Sequence, residues 1–431
     1  GGIDLAGAGD IVDCLARDGG FDYLTFCWGA HSETLDWHLP DVHGPRMPYL
    51  EKITTLGRRA HGIPLGALGL ITDPHESERI IRSGAADLVM LGRPLIADPA
   101  WPVKTLTGRA QDIRYCVSCN TCWHTITSGT PLQCDNNPRV GEADEVEWLL
   151  PRAANQRHVA VVGAGIAGLE AAWVAAARGH KVTVFGASPE FGGKTRLHAM
   201  LPGGEGLSSI YDYQRLRAER LNVEFRLSTT AQASEIRALA PDVVILATGA
   251  SPSWPACFPS EYENEEVFLD IRALTPHLLR RSQREPGTAV VYDHDATAMT
   301  YAVTELLAAR YDRVMIVTPR ERLAEEEPLV NRQGIYRRLS RKLVDIVCCT
   351  EIDGASDFES GRVNLRNVFN GESRTIDDVA LLTYATPRVP NDALGRELAS
   401  DGMTVHFVGD CLAPRSVLNA TAEGHRIGRL I

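Results

Sequence analysis

The sequence has no long apolar run and no surplus of positive charge. Its hydrophobic stretches all fall short of the roughly 20 residues that a membrane-spanning helix needs, and its first residues lack the basic and apolar segments of a secretory leader. The formal net charge is −11, with acidic and basic residues interspersed, which argues against nucleic acid and anionic membranes as partners. We therefore expect a cytoplasmic protein with no nucleic-acid and no membrane partner.

The chain also lacks the cysteine framework of a small secreted protein. Its 431 residues are 44% hydrophobic and 23% charged, which fits two or three globular domains. Ten cysteines are present, and we interpret the scattered ones as reduced thiols of a cytosolic protein. These scattered cysteines are Cys14, Cys27, Cys257, Cys348, Cys349 and Cys411.

The other four cysteines are closely spaced in YCVSCNTCWHTITSGTPLQC, residues 115–134. Their pattern is C-x2-C-x2-C-x11-C, formed by Cys116, Cys119, Cys122 and Cys134. Zinc ribbons usually have two CxxC pairs separated by a longer loop. An iron–sulfur cluster can be bound by three closely spaced cysteines together with a fourth that follows later in the chain. Both metals accept thiolates, and the spacing favours iron–sulfur over zinc, and zinc over four unrelated buried thiols.

A dinucleotide-binding pattern follows in RHVAVVGAGIAGLEAAWVAAARGHKVTVFGAS, residues 157–188. An apolar strand leads into Gly163-x-Gly165-x-x-Gly168, then an alanine-rich helix and a second strand. Gly163 permits the turn, Gly165 allows the backbone to approach a pyrophosphate, and Gly168 allows the helix to pack on the strand. Gly186 stands where an acid usually binds the ribose, so we expect the adenine ribose to be held differently.

Three later segments agree with a dinucleotide-binding domain, although each alone could be an ordinary strand-to-turn transition. They contain Gly192-Gly193, Thr248-Gly249 after an apolar strand, and Gly409-Asp410 before the last helix. Between them, residues 288–320 repeat the order strand, turn, helix, strand, but the turn at 292–298 has no glycine. Side chains there would block a pyrophosphate and two carboxylates would repel it. We predict a second domain that keeps the fold without the cofactor.

The first 110 residues alternate short apolar strands with helical patterns, which predicts parallel βα units. The strands are at 21–28, 63–69 and 86–92, and the helical patterns at 7–18, 47–60 and 73–84. Gly92-Arg93 follows the third strand. A glycine–arginine pair at such a strand end can hold a phosphate, and a surface ion pair is an equally weighted alternative for Arg93.

Taken together, TDPHESERIIRSGAADLVMLGRPLIADPAW, DIRYCVSCNTC and the dinucleotide pattern resemble the iron–sulfur flavoenzymes of the old yellow enzyme class, chiefly trimethylamine dehydrogenase and its amine-demethylating relatives, with 2,4-dienoyl-CoA reductase more distant. The resemblance covers nearly the whole chain. It implies an FMN in a TIM barrel, a 4Fe–4S cluster and a bound FAD or ADP. The implied α/β fold joins part of a barrel, a cysteine segment and two Rossmann-like domains.

The resemblance also implies domain boundaries. They are the C-terminal part of an FMN-type barrel at 1–111, the iron–sulfur segment at 112–150, an ADP/FAD-binding domain at 151–270 and 396–431, and an inserted second Rossmann-like domain at 271–395. A whole TIM barrel takes roughly 250 residues, so we expect that the sequence is a fragment or that another chain supplies the other strands. Either case puts FMN binding by this chain alone in doubt.

Site residues follow from the same resemblance. The FMN phosphate is expected at Arg93 and the strand ends around Gly69 and Gly92, and Asp410 is expected at the flavin ribityl chain or its equivalent. His31, in the loop after the first strand, is the candidate catalytic residue; a loop histidine bonded to backbone is the alternative. Trp28, Trp37 and Trp123 are candidates for an aromatic cage around a methylammonium group, although packing is the commoner role of tryptophan.

Three functions remain open. In the first, the enzyme oxidatively demethylates a methylated amine or betaine, and electrons pass from FMN through the cluster to an acceptor like an electron-transferring flavoprotein. In the second, NAD(P)H drives an enoate or 2,4-dienoyl-CoA type reduction. In the third, the chain is an electron-transfer subunit completed by another chain. The glycine-free turn and the two-residue gap between Cys119 and Cys122 favour the first. We also expect a homo-oligomer.

Overall fold

The computed structural model describes residues 2–146, 149–263 and 267–431. The chain divides into two compact units, Gly1–Trp148 and Leu149–Ile431. None of the described helices is long and apolar enough to cross a membrane.

The first unit is built around three parallel strands in the order β1–β2–β3. The strands are β1 (Leu24–Thr25), β2 (Leu65–Ala67) and β3 (Leu88–Val89). The helices are α1 (Leu5–Asp18), α2 (Leu35–His38), α3 (Leu50–Gly57), α4 (Pro74–Arg82), α5 (Arg93–Ala97), α6 (Trp101–Leu106) and α7 (Thr121–Thr127), with a 3-10 turn at Ala110–Asp112. The predicted parallel βα alternation is therefore present.

Local chemistry accounts for the helix that follows β2. Asp73 accepts a hydrogen bond from the His75 amide at 2.6 Å, and the carboxylate of Glu76 reaches back to the Asp73 amide as a capping box. Pro74 occupies the first turn, where its missing N–H costs nothing. These caps set the start of α4 at Pro74, after the buried C-terminal end of β2 at Ala67.

The second unit contains a parallel five-stranded sheet in the order β17–β7–β4–β5–β6. Its strands are β4 (His158–Val162), β5 (Lys181–Phe185), β6 (Glu224–Arg226), β7 (Val243–Leu246) and β17 (Val405–Phe407). β4 and β7 are continuous apolar runs because parallel strands covered on both faces have no polar side. The accompanying helices are α8 (Ile166–Ala177), α9 (Gly193–Ala199), α10 (Ser208–Arg220), α11 (Ala233–Leu239), α15 (Ala393–Ser400) and α16 (Val417–Leu430), with 3-10 turns at Glu205–Leu207 and Gly409–Cys411.

A second parallel sheet, in the order β11–β10–β9–β15, lies in the chain between β7 and β17. Its strands are β9 (Glu285–Asp293), β10 (Tyr311–Val317), β11 (Asp345–Val347) and β15 (Val379–Ala385), and its helices are α12 (Ile271–Arg280), α13 (Ala298–Leu307) and α14 (Leu329–Arg341). An antiparallel sheet of β12 (Thr350–Ile352), β13 (Val363–Asn367) and β14 (Ser373–Ile376) packs beside it, and a 3-10 turn spans Ser260–Tyr262.

Two short antiparallel strands, β8 (Ala250–Pro252) and β16 (Arg388–Pro390), connect the two parallel sheets. The chain leaves the five-stranded sheet along β8 and returns along β16. The predicted arrangement of one Rossmann-like sheet inserted into another is thus present, while the exact predicted boundaries at 270 and 395 stay predictions.

Candidate functional site

The four clustered cysteines lie on a tight loop, at the start of α7 and on the returning segment. Ser118 and Asn120 both adopt left-handed backbone, with φ of 56° and 60°, and bend the chain between successive cysteines. Burial raises the pKa of the Cys119 thiol well above its usual range, and neighbouring Asp135, Cys134 and Cys116 raise it further. Burial also raises the pKa of Cys134 to about 12, with Cys116 adding to the effect. These effects make Cys116, Cys119 and Cys134 electrostatic neighbours of one another.

Backbone donors face these thiols. The Ser118 amide donates to the Cys116 Sγ at 3.4 Å, and amides of the segment after Cys134 favour its thiolate. Such N–H···S bonds are among the contacts that tune iron–sulfur clusters. Within residues 2–146, 149–263 and 267–431, no three His, Cys, Asp or Glu side chains converge as ligands of a metal ion. Four cysteine thiolates are the kind of donor set that an iron–sulfur cluster takes.

Arg93, the predicted phosphate ligand, lies beside this loop. Its Nη1 donates to the Pro40 carbonyl at 3.1 Å and to the Asn120 side-chain oxygen. A Cβ added at Gly92 would meet no atom within 4 Å, so the backbone there is open. Gly69 differs, because an added Cβ would lie 2.3 Å from the Tyr49 ring. Gly92 and Arg93 therefore leave room for a ligand, whereas Gly69 serves close packing at the end of β2.

The loop after β1 brings several predicted residues together. His31 is exposed, and its ring centroid lies 4.6 Å from that of His38. Burial lowers the pKa of His38, and the charge of His31 lowers it further. Trp28 and Trp37 stack with centroids 6.4 Å apart, and Lys52 Nζ lies 4.6 Å from the Trp28 ring centroid. The aromatic pair already has a cation of the chain itself on one ring.

The turn between β4 and α8 shows a distinct contact for each glycine of the dinucleotide pattern. Gly163 has φ of 119°, and a Cβ there would lie 2.2 Å from the Ala247 carbonyl oxygen. A Cβ on Gly168 would lie 2.0 Å from the Gly163 oxygen. By contrast, a Cβ on Gly165 would meet nothing within 4 Å. Gly163 and Gly168 are needed by the fold, and Gly165 leaves space above the helix N-terminus.

The Gly192–Gly193 loop lies against that space. The Gly192 amide donates to the Ala164 oxygen at 2.9 Å, and Gly192 pairs with Gly165 as an isolated bridge. A Cβ on Gly193 would approach the Gly165 Cα to 3.3 Å. Two glycine backbones therefore face each other, and together with the amides of α8 they form a cradle that fits a pyrophosphate.

Gly186 follows β5 at the position where an acid usually binds the ribose, and its surroundings give a reason for the glycine. A Cβ on Gly186 would lie 2.8 Å from a Leu227 methyl and 3.1 Å from the Ala164 Cβ. A longer side chain has no room there without a shift of these neighbours. The ribose of a bound nucleotide must be recognised by other groups.

The remaining predicted residues of this cradle lie in a polar cluster. Gly249 has φ of 75° and open space at its Cβ position, and the Thr248 hydroxyl donates to the Cys411 Sγ at 3.2 Å. Asp410 forms an ion pair with Arg388 and accepts from the Arg415 amide at 3.1 Å. Asp410 is thus held by the chain itself at the end of the five-stranded sheet.

Lys194 follows the cradle loop and is half-buried. Burial lowers its pKa to about 7, with the like charges of Arg272 and Arg388 lowering it and Asp295 and Asp410 opposing them. Lys194 directly follows Gly193, and an anion bound in the cradle would favour its charged form.

The turn between β9 and α13 is filled by carboxylates. Asp293 is fully buried and accepts from the Ala296 amide at 3.0 Å and the Tyr301 hydroxyl at 2.7 Å. Asp295 accepts from the Thr297 amide at 3.0 Å, and Glu327 from the Ala298 amide at 2.9 Å. Burial raises the pKa of Asp293 to about 7, and Asp295 adds to the effect. The amides that would receive a pyrophosphate are already occupied.

Sequence reasoning missed three of these residues. Asn120 stands between two cysteines, and its position was the signal that could have found it. Lys194 adjoins the Gly192–Gly193 pair and could have been noted as a cation beside a phosphate cradle. Glu327 lies 29 residues from the amide that it caps, and no local pattern marks it.

Comparisons with known proteins match both units. Residues 157–424 match the family described as pyridine nucleotide-disulphide oxidoreductase, and residues 25–112 match the NADH:flavin oxidoreductase / NADH oxidase family. The chain is 28% identical over 424 residues to the bilirubin reductase of Mediterraneibacter gnavus, covering 98% of this chain and 63% of the relative. It is 32% identical over 411 residues to a probable N-methylproline demethylase of Rhizobium meliloti, covering 92% of this chain and 58% of the relative.

Among solved structures, a 2-naphthoyl-CoA reductase in complex with 2-naphthoyl-CoA superposes with a TM-score of 0.85 at 24% identity, covering 98% of this chain and 62% of the other. This likeness shows a shared fold. The chain spans about three fifths of the length of these proteins. The predicted resemblance and the predicted α/β fold class, a barrel portion followed by Rossmann-like sheets, are confirmed.

Proposed function

The chain belongs to the pyridine nucleotide-disulphide oxidoreductase family, and on that premise we propose that the whole protein is an iron–sulfur flavoenzyme that oxidatively demethylates a methylated amine or betaine. Electrons leave it for a protein acceptor like an electron-transferring flavoprotein. The similarity to a probable N-methylproline demethylase over most of this chain supports the substrate class.

One observation carries the direction of electron flow. The turn between β9 and α13, where a nicotinamide dinucleotide would place its pyrophosphate, has its amides bonded to Asp293, Asp295 and Glu327. Backbone N–H groups at a helix N-terminus are what a pyrophosphate binds. With those groups engaged, we expect NADH not to dock at this turn, and we assign the supply of electrons to the substrate.

The cofactor sites are assigned to residues of both units. Cys116, Cys119, Cys122 and Cys134 hold the 4Fe–4S cluster, and Gly92 with Arg93 receives the FMN phosphate. The cradle of Gly163–Gly168 and Gly192–Gly193 holds ADP or FAD, with Thr248, Gly249 and Asp410 at its far end. When bound, FMN takes up the electron pair of amine oxidation, and the cluster delivers electrons singly.

The loop after β1 positions the substrate. His38, whose pKa lies below its ordinary value because it is buried and close to His31, is neutral at pH 7 and can accept a hydrogen bond. His31 is exposed beside it and can contact an incoming amine. A neutral imidazole can accept a proton or a hydrogen bond, whereas an imidazolium can only donate. We assign His31 to substrate contact and His38 to accepting a hydrogen bond beside it.

The cellular setting follows from the same reasoning. None of the ten cysteines, each within the described residues, is in a disulfide, and we propose a reducing cytoplasm as the setting, because disulfides are rare there. A homo-oligomer that docks its acceptor protein is the proposed working form.

A second candidate is an NAD(P)H-dependent reductase of an enoate-type substrate. Its support is the similarity to a bilirubin reductase over 98% of this chain and the match of residues 25–112 to the NADH:flavin oxidoreductase family. In that case electrons would enter from NAD(P)H and leave through FMN.

Stopped-flow mixing of oxidised holoenzyme under argon separates the two candidates. We expect N-methylated amines or betaines to bleach the flavin absorbance and excess NADH to leave it unchanged. Rapid bleaching by NADH together with no response to any methylated amine would transfer the assignment to the reductase. Cys119→Ser should remove iron, acid-labile sulfide and the broad visible absorbance, whereas Cys14→Ser, at an exposed and distant cysteine, should keep them. One zinc without sulfide in the wild type would refute the cluster.

A further inference from the structure

Asn120 occupies an unusual position inside the cysteine loop. It stands between Cys119 and Cys122, is fully buried and adopts left-handed backbone with φ of 60°. The side-chain nitrogen of Asn120 donates to the Leu39 carbonyl at 3.2 Å, and the side-chain oxygen of Asn120 accepts from Arg93. A buried amide bonded on both sides fixes the loop on which three of the four cysteines lie.

Arg93 brings a positive charge to the same place. It starts α5, and its Nη1 bonds Asn120 and the Pro40 carbonyl. In the part of the chain that the structure describes, no carboxylate lies within ion-pair distance of Arg93. Its guanidinium instead bonds the side chain of Asn120, the residue that directly follows Cys119. Arg93 is therefore a cation held at the cysteine loop.

We propose that Arg93, acting through Asn120, is a positioning residue that holds the cysteine loop and raises the reduction potential of the cluster. This inference depends on the cluster of the proposed function. A cluster gains one negative charge on reduction, and a nearby cation whose charge is not offset stabilises that charge. Net charge and hydrogen bonding around the ligands are among the factors that set iron–sulfur potentials.

The same arginine can still bind a phosphate. Both of its bonds within the described residues come from Nη1, which leaves the Nε and Nη2 donors of the guanidinium available. A phosphate bound there would offset the charge of Arg93 beside the cysteine loop. Arg93 would thereby connect occupancy of the phosphate site to the ease of reducing the cluster.

The test is a redox titration of the cluster-loaded chain, followed by electron paramagnetic resonance under argon. Arg93→Gln removes the charge, Arg93→Lys keeps it, and Asn120→Gly removes the side chain while keeping left-handed backbone accessible. Arg109→Gln serves as the control, because Arg109 is exposed and its side chain bonds only Thr107 among the described residues.

We expect the midpoint potential to fall in Arg93→Gln, to stay closer to wild type in Arg93→Lys and to be unchanged in Arg109→Gln. Asn120→Gly should change the shape of the resonance and lower the iron content. Loss of iron from both Arg93 variants with a fully loaded control would support the holding role.

A loaded Arg93→Gln protein with the wild-type potential and spectrum would overturn the inference while leaving the cluster assignment intact. A wild-type chain that contains no acid-labile sulfide would instead defeat the proposed function. The two failures are therefore distinguishable in one set of preparations.

Discussion

The turn between β4 and α8 and the turn between β9 and α13 hold equivalent places in two parallel sheets of one unit, yet their helix N-termini differ in what they leave open. In the first, Gly165 has no atom within 4 Å of an added Cβ. In the second, carboxylates of Asp293, Asp295 and Glu327 bond the amides of the turn. A helix N-terminus attracts an anion, and the second turn takes its anions from the chain itself.

The difference teaches that the amides at the start of such a helix can find their acceptors within the chain itself. Orphan amides at a helix start must find acceptors, and a phosphate or a carboxylate can serve. Once Asp293 became buried and bonded to Tyr301, the turn no longer depended on a ligand. The comparison can be tested at both turns.

The largest expected effect is at the open turn. Gly165→Val should weaken binding of an adenine nucleotide at least about 100-fold, about 3 kcal/mol, because the side chain fills the space that the pyrophosphate needs. Calorimetry with ADP and acid extraction of the purified protein measure the loss. Gly354→Val is the control, since that glycine is exposed and its nearest Cβ neighbour is at 3.6 Å. Unchanged nucleotide content in a folded Gly165→Val protein would show that the turn between β4 and α8 does not bind the nucleotide.

The next effect concerns the buried acid of the filled turn. Asp293 has a pKa raised to about 7 in the folded chain, so the folded state binds more protons than the unfolded state between about pH 4 and 7. The wild type should lose stability as pH rises through that window. Asp293→Asn mimics the protonated acid and should lack the slope.

Denaturant unfolding at several pH values measures this slope. Asp312→Asn is the matched control, because Asp312 forms an exposed ion pair with Arg284 that contributes little. If wild type and Asp293→Asn show the same pH slope, the pKa of Asp293 is not raised in the folded state.

A smaller effect is expected at Lys194, beside the open cradle. Its pKa is lowered to about 7, so the unfolded state binds more protons between about pH 7 and 10, and stability should rise with pH there. Below about pH 7 Lys194 is charged in both the folded and the unfolded state, so the full cost of burying its charge lowers the stability of the fold. Lys194→Met should therefore raise the melting temperature of nucleotide-free protein at pH 6.5 and lose this advantage by pH 9.5, whereas Lys342→Met, at an exposed position, should do neither. An equal shift at both pH values would point to packing instead of charge.

The last prediction is that NADH and NADPH do not bind at the turn between β9 and α13. With the first cradle blocked by Gly165→Val, titration of the protein with NADH or NADPH should give no binding heat, because the second turn offers no unbonded amide at Ala296, Thr297 or Ala298. Saturable binding in that variant would show that the filled turn opens for a dinucleotide, and the comparison would fail.

Local patterns allowed much of the site to be predicted. The spacing of Gly163, Gly165 and Gly168 predicted a tight turn, an open approach and a packed helix, and the contacts at those positions agree. The glycine-free turn predicts a domain without its cofactor, and this stays a prediction. The sequence did not indicate that Asp293 would be fully buried and bonded to Tyr301.

The sequence by itself determined the α/β class, the order of the two Rossmann-like sheets and the loop that carries the cysteines, because strand periodicity, glycine positions and cysteine spacing depend on neighbours along the chain. Only the tertiary structure decided that the Asn120 side chain accepts a hydrogen bond from Arg93 and that Glu327 accepts one from the first amide of α13. It also decided that Arg272 and Arg388 act on the charge of Lys194. Each of these interactions joins residues that lie far apart in the chain. Their partners are chosen by packing and by the need of each buried polar group for a bond, and no local pattern records that choice.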